Sequence, residues 1–161
     1  MSTDVPGIAV PTVTAWLEEH VPGAAGPFRF DVIAGGHSNL TYRVTGANGD
    51  RYVVRRPPLG HRLASAHDMG REHKIISGLQ RSAVPVAPAL GFCDDEAVND
   101  APFYVMGFVD GHVLRDRAST EAILDLAGRR RASESIVDTM AAIHAVDLEA
   151  VGLADLGKHE G

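Results

Sequence analysis

Between Phe28 and Ile33 the chain alternates Phe28, Phe30 and Val32 with Arg29 and Asp31, the period-two pattern of a half-buried strand. A Gly35-Gly36-His37-Ser38-Asn39 run breaks the pattern, and Leu40 to Thr45 resumes with β-forming residues. Ala47-Asn48-Gly49-Asp50 carries the Asn-Gly signal of a tight hairpin. Arg51 to Arg56 then returns as a third strand, which Pro57-Pro58 ends. These segments predict an antiparallel meander with a glycine loop between its first two strands.

Helical periodicity lies on either side of the meander. Thr12 to His20 reads as a short helix behind Pro11, stopped by Pro22-Gly23. Ala66 to Gln80 reads as a second helix, with Met69, Ile75, Ile76 and Leu79 on one arc and Arg71, Lys74 and Gly78 opposite. Glu72 falls near the middle of the apolar arc, where a carboxylate is costly unless something positive meets it. Pro88 to Cys93 and Phe103 to Phe108 are two further strand segments, separated by an acidic stretch from Asp94 to Asp100 expected to be a mobile loop. Helix signals return between Thr120 and Asp147, with an interruption expected near Gly128. Ile136, Met140, Ile143 and His144 share one face of the last helix, so His144 is expected to be packed. The tail from Leu148 onward shows little periodicity and no sign of a finished domain.

Composition narrows the function. A chain of 161 residues, 45% hydrophobic and 22% charged, suits one soluble globular domain or slightly more. The formal charge of -6 argues against a general nucleic-acid binder, which needs a basic excess. A single cysteine, Cys93, excludes an internal disulfide and suits a reducing compartment. No apolar run approaches the roughly 18 residues of a membrane span, and Met1-Ser2-Thr3-Asp4 lacks the basic start of a secretory signal. A cytoplasmic protein without membrane or nucleic-acid partners is expected. Lys74 and Lys158 are the only lysines, which matters because many phosphoryl-transfer sites use one.

The predicted order is strand, glycine loop, strand, turn, strand, helix, strand, strand, short linker, helix. Gly35-Gly36-His37-Ser38-Asn39-Leu40-Thr41-Tyr42-Arg43-Val44 resembles the loop-and-strand signature of the aminoglycoside phosphotransferase family. Tyr52-Val53-Val54-Arg55-Arg56-Pro57-Pro58, Arg71-Glu72 and Pro102-Phe103-Tyr104-Val105-Met106 with Asp110-Gly111 extend the likeness. Within that family it is most similar to phosphotransferase-like kinases found alone or with acyl-CoA dehydrogenase domains. The resemblance implies an α+β fold: a protein-kinase-like N-lobe, with a five-stranded antiparallel sheet and one packed helix, then the start of a helical C-lobe. Residues 1–107 would be the N-lobe with its N-terminal helix, and 108–161 the hinge and first C-lobe helices.

The resemblance also implies a nucleotide site for ATP. A glycine-rich turn, here Gly35, Gly36, His37, Ser38 and Asn39, lets backbone N–H groups approach phosphates, and Ser38 and Asn39 can add side-chain contacts. By composition alone that run is equally a plain turn. Arg55 stands where the family's strand-three cation holds the phosphates, with Glu72 to orient it. An arginine there can pair with Glu72 through two hydrogen bonds, which lysine cannot. The alternative is a solvated Arg55 and an exposed helix charge. Arg56 is the reserve candidate, because alternation sends the two arginines to opposite faces. Met106 to Val109 would be the hinge, with Met106, Phe108 and Val109 beside the adenine; an ordinary strand end is the competing reading.

Several motifs are false leads. Phe108-Val109-Asp110-Gly111 comes too early for a metal-binding Asp-Phe-Gly, and His144-Ala145-Val146-Asp147 lacks the family's His-Gly-Asp. The last asparagine is Asn99, so no later residue matches the family's metal-binding asparagine. His61, His67 and His73 lack zinc-site spacing, and no Walker A, Gly-x-Ser-x-Gly or His-Glu-x-x-His motif is present. No metal ligand is assigned, and Mg²⁺ is expected only with a C-lobe that supplies its ligands. The resemblance covers nearly the whole chain but about half of such an enzyme. Residues 1–161 alone are therefore expected to lack useful catalysis. Three functions stay open: part of a kinase phosphorylating a small-molecule hydroxyl, a nucleotide-binding regulatory module without chemistry, and a half-enzyme completed by a partner chain.

Overall fold

Three β-forming runs and two later ones build a single antiparallel sheet in the order β1-β2-β3-β5-β4. The computed structural model describes residues 5–34, 39–60 and 68–156. The strands are β1 (Arg29–Ala34), β2 (Leu40–Thr45), β3 (Arg51–Arg56), β4 (Ala89–Cys93) and β5 (Phe103–Gly107). The helices are α1 (Val10–His20), α2 (Met69–Leu79), α3 (Glu96–Asn99), α4 (Arg117–Ile123) and α5 (Leu126–His144). This is the expected α+β arrangement of a five-stranded antiparallel sheet with packed helix.

The chain forms two compact units, Met1–Ser77 with Ala87–Phe108, and Gly78–Val86 with Val109–Gly161. In the first unit, alternation on the strands sorts side chains to two faces. Tyr42, Val44, Tyr52, Val54, Phe103 and Val105 join Val13, Trp16 and Leu17 of α1 in one core cluster. Trp16 meets Phe103 edge-on at 5.0 Å between ring centroids. Val13 and Leu17 are fully buried, each burial stabilising by about 1.5–3 kcal/mol. Pro11 opens α1 at its first turn, where a missing N–H costs nothing. The opposite face of the sheet carries Thr41, Arg55, Tyr104 and Phe92, and α2 lies over it, stacking His73 on Phe92 at 5.6 Å.

Local chemistry departs from the sequence reading in several places. The β2–β3 connection is not a two-residue Asn-Gly turn: Thr45 pairs Arg51, and five residues intervene. Gly49 alone there takes a positive φ of 85°, following a turn closed by its N–H on Gly46 O at 3.1 Å. The acidic Asp94–Asp100 stretch is an ordered turn of helix rather than a mobile loop. Asp95 caps α3 by accepting from Ala97 N at 2.8 Å, and buried Asn99 accepts from Ala9 N at 2.9 Å.

The break in the later helices falls at Leu124-Asp125 rather than near Gly128. Asp125 is the N-cap of α5, and Gly128 sits in the first turn, donating to Asp125 Oδ1 at 2.7 Å. Ahead of it, Asp116 and Ser119 form a reciprocal capping box that starts α4 earlier than the helix signals indicated. On α5 the apolar row is exposed, with Ile136 62% and Met140 54% accessible, and His144 is exposed rather than packed. Periodicity reports which residues share a face, not whether anything covers it. The aperiodic tail, in contrast, is well seated: Val151 and Leu153 are buried, with Leu153 against Gly78. Gly78 therefore lies at a contact of the second unit, not on an open helix face. No helix among the described residues is long and apolar enough to cross a membrane.

Candidate functional site

The cross-strand register lines up four side chains in one row. Thr41 on β2 pairs Arg55 on β3, Arg55 pairs Tyr104 on β5, and Tyr104 pairs Phe92 on β4. All four face α2, which brings Glu72 and His73 down on the row. Arg55 Nε donates to Glu72 Oε2 at 2.9 Å, and Arg55 Nη1 donates to Thr41 Oγ1 at 3.1 Å. Glu72 also accepts from Asn39 Nδ2 through Oε1 at 2.7 Å and from the Tyr104 hydroxyl through Oε2 at 3.1 Å. A carboxylate near the apolar arc of α2 is thus met by three donors, which is what makes its position tolerable.

The pair differs from a two-bond clasp. Arg55 reaches one oxygen of Glu72 through Nε only, and the carboxylate is turned so that Oε1 meets Asn39 Nδ2. Arg55 Nη2 has no hydrogen-bond partner among the described residues. Both side chains are about a third accessible, Arg55 29% and Glu72 32%. The result is a guanidinium held at two diverging donors, Nε and Nη1, with Nη2 unbonded among the described residues.

Titration follows the same packing. Burial, reinforced by the Glu72 charge, pushes the Tyr104 hydroxyl far above the usual phenol range, so it stays a donor. Burial lowers the His73 imidazole below 6.5, which keeps it neutral at physiological pH. Its Nε2 lies 3.3 Å from Ser77 Oγ.

A family model described as the phosphotransferase enzyme family matches residues 29–161. The chain belongs to the phosphotransferase enzyme family. Its sheet and packed helix are the kinase-like N-lobe of that family. A solved chain from Ralstonia eutropha, provisionally named an aminoglycoside phosphotransferase, superposes with a TM-score of 0.75 at 34% identity. The match covers 92% of this chain and 41% of that one. Acyl-CoA dehydrogenase family member 10 of Mus musculus is 31% identical over 147 residues, 88% of this chain and 14% of that protein. Acyl-CoA dehydrogenase family member 11 of Gallus gallus is 32% identical over 137 residues, 85% and 17% respectively. The phosphotransferase-family chain spans under a fifth of either relative.

The remaining candidates in this family member fall as follows. Gly35, Gly36, His37 and Ser38 lie outside the described residues, as do His61 and His67. Asn39 is buried, with its amide on Glu72. Arg56 is buried on the other face, donating through Nε to Pro57 O at 3.1 Å and through Nη1 to Gly7 O. Met106 is half-buried and pairs Val53, and the Phe108 N–H donates to Arg51 O at 3.3 Å with the Arg51 guanidinium 4.8 Å over the Phe108 ring. Val109 is exposed, and among the described residues its backbone groups form no hydrogen bond. Sequence reading missed Thr41 and Tyr104 as partners of the pair. Counting back along the antiparallel register from Arg55 would have found both.

Proposed function

We propose that this chain is the ATP-binding part of a small-molecule kinase that passes the ATP γ-phosphate to a substrate hydroxyl. The observation that carries the reading is the hold on Arg55 through Nε and Nη1, which leaves Nη2 unbonded among the described residues. Glu72 and Thr41 fix the guanidinium on β3, and its remaining N–H groups are positioned to donate to phosphate oxygens. Val109, an exposed residue with no backbone hydrogen bond among the described residues, is the choice for the edge of an adenine over the Phe108 amide, which Arg51 O engages. ATP bound here supplies the transferable phosphoryl group. Arg55 orients and neutralises it, and Glu72 keeps Arg55 in place.

Among the described residues no group of three His, Cys, Asp or Glu side chains gathers to hold a metal. On this reading Mg²⁺ takes its ligands from the phosphates and from groups other than these. The base that receives the hydroxyl proton and the pocket that selects the substrate are likewise assigned to other polypeptide.

The apolar row on α5 bears on the alternatives. Ile136, Val137, Met140 and Ile143 are about half to two-thirds accessible, more apolar surface than a self-sufficient module exposes in one row. This favours a kinase part, or a half-enzyme joined by a partner chain, over a stand-alone regulatory module.

The test is calorimetric titration of the 161-residue chain with ATP and with adenosine. Arg55→Ala should weaken ATP by about tenfold or more, as expected for one charge-assisted contact, and leave adenosine unchanged. Equal ATP affinity in both proteins would move the phosphate clamp elsewhere.

A further inference from the structure

We propose that Asn39 is a positioning residue that keeps Arg55 open to phosphate by preventing Glu72 from clasping it. The inference rests on the nucleotide reading above and deepens it, giving Asn39 control of the clamp in place of a direct phosphate contact.

A carboxylate beside a guanidinium gains most by closing two parallel bonds, here Nε and Nη2 onto its two oxygens. That clasp would turn Nη2, the group left unbonded among the described residues, toward Glu72 and away from a phosphate. It is not made. Glu72 Oε2 takes Arg55 Nε at 2.9 Å, while Oε1 is turned onto Asn39 Nδ2 at 2.7 Å. The Tyr104 hydroxyl holds Oε2 from β5 at 3.1 Å, and Thr41 holds Nη1 from β2 at 3.1 Å. Of these restraints only Asn39 acts on Oε1, the oxygen whose release would let the clasp close. At 5% exposure Asn39 is held inside the structure. It therefore reports on Glu72 rather than on solvent.

The need for such a residue follows from the arginine. A lysine ammonium is a compact point donor that a carboxylate cannot clasp in a planar fork. With lysine at 55, the direction of Oε1 would matter little. With arginine it decides whether Nη2 is presented or taken up by Glu72. Asn39 also ends the glycine-rich run, so the bond ties that run's exit to α2.

The experiment has two arms. ATP and adenosine are titrated against wild type, Asn39→Ala, Arg55→Lys and the double variant. Unliganded Asn39→Ala is crystallised beside wild type. Asn39→Ala should weaken ATP about tenfold and leave adenosine unchanged, which a general loss of structure would not do. In the Arg55→Lys background the same substitution should change ATP affinity by less than about twofold. In the crystal, Arg55 Nη2 should close onto Glu72 Oε1. Asn39→Ser, whose hydroxyl is too short to hold Oε1, gives the same pattern and serves if the alanine variant fails to fold. An equal loss in both backgrounds, or an Oε1 that stays away from Nη2, overturns the positioning role. Failure of the nucleotide reading looks different: wild type binds no ATP, yet the clasp still closes in the variant crystal.

Discussion

Arg55 and Arg56 are neighbours on β3 whose side chains leave through opposite faces of the sheet. Arg55 joins Thr41 and Glu72 under α2, with Nε 2.9 Å from Glu72 Oε2. Arg56, 3% exposed, donates to the carbonyls of Gly7 and Pro57 beside the segment that leads into α1. Strand alternation alone separates them. One dipeptide thus supplies a presented cation and a structural one.

That division predicts different phenotypes. Arg56→Ala strands two carbonyls in a buried setting and should lower stability by about 1–3 kcal/mol, read by urea denaturation. Its ATP affinity, measured on the folded protein, should match wild type. Arg55→Ala should show a clear loss of ATP binding and a smaller fall in the urea midpoint, because Asn39 and Tyr104 still meet Glu72. A variant of Arg56 that unfolds at the wild-type midpoint would show that its buried bonds contribute nothing net.

Glu72→Ala should damage both properties. Removing the carboxylate leaves Asn39, Arg55 and Tyr104 without their shared acceptor. A loss of about 1–3 kcal/mol is expected from such half-buried donors, together with weaker ATP binding because Arg55 loses its guide. Glu72→Gln should recover part of the stability, since an amide oxygen still accepts. Full recovery of ATP affinity in Glu72→Gln would mean that charge plays no part in holding Arg55.

Much of this was legible from residue patterns, and what was not has a physical reason. Sequence patterning located all five strands to within a residue: alternation marked β1, and β-forming runs bounded by turn residues marked the others. The Arg55–Glu72 pair was readable because a carboxylate on an apolar arc demands a partner. The single-oxygen geometry was not, since it depends on Asn39 and Tyr104 reaching Glu72 across 33 and 32 residues. The α3 turn was hidden because its order comes from Asn99 bonding Ala9, a contact across 90 residues in an otherwise loop-like acidic run. The apolar row of α5 was seen, but His144 beside it was expected to be packed and is exposed, because a hydrophobic pattern records a face and not its covering.

His73 should give the folded chain a measurable pH dependence. Burial between α2 and the Phe92 and Tyr104 rings lowers its pKa from 6.5. Between the folded and unfolded values the unfolded chain binds more protons, so stability rises with pH there. The contribution is complete above about 6.5 and is lost as the pH falls through that value toward the lower folded one. His73→Phe keeps a ring against Phe92 and removes the titration. The stability difference, wild type minus variant, should therefore fall on acidification from about pH 7.5 to about 5. A difference that is flat across that range would place the imidazole in water.

Gly78→Ala sets two effects against each other within the second unit. Alanine favours helix over glycine by about 0.5–1 kcal/mol. A Cβ at this position, however, would lie 2.8 Å from Leu153 Cγ and Cδ2 and 2.9 Å from Val151 O. The leucine side chain can turn aside, but the carbonyl can retreat only if the 151–153 backbone moves. That backbone is anchored: Arg81 donates to Val151 O, and Leu153 N bonds Leu148 O at 2.7 Å. Overpacking of this kind costs about 1–3 kcal/mol, so the clash should outweigh the helix gain. Hydrogen exchange is the sharper probe, because the strain is local. Amides of Val151 and Leu153 should exchange faster in Gly78→Ala, while that of Tyr104 on β5 keeps its wild-type rate. A more stable variant with unaltered exchange at Leu153 would show that the tail segment yields without cost.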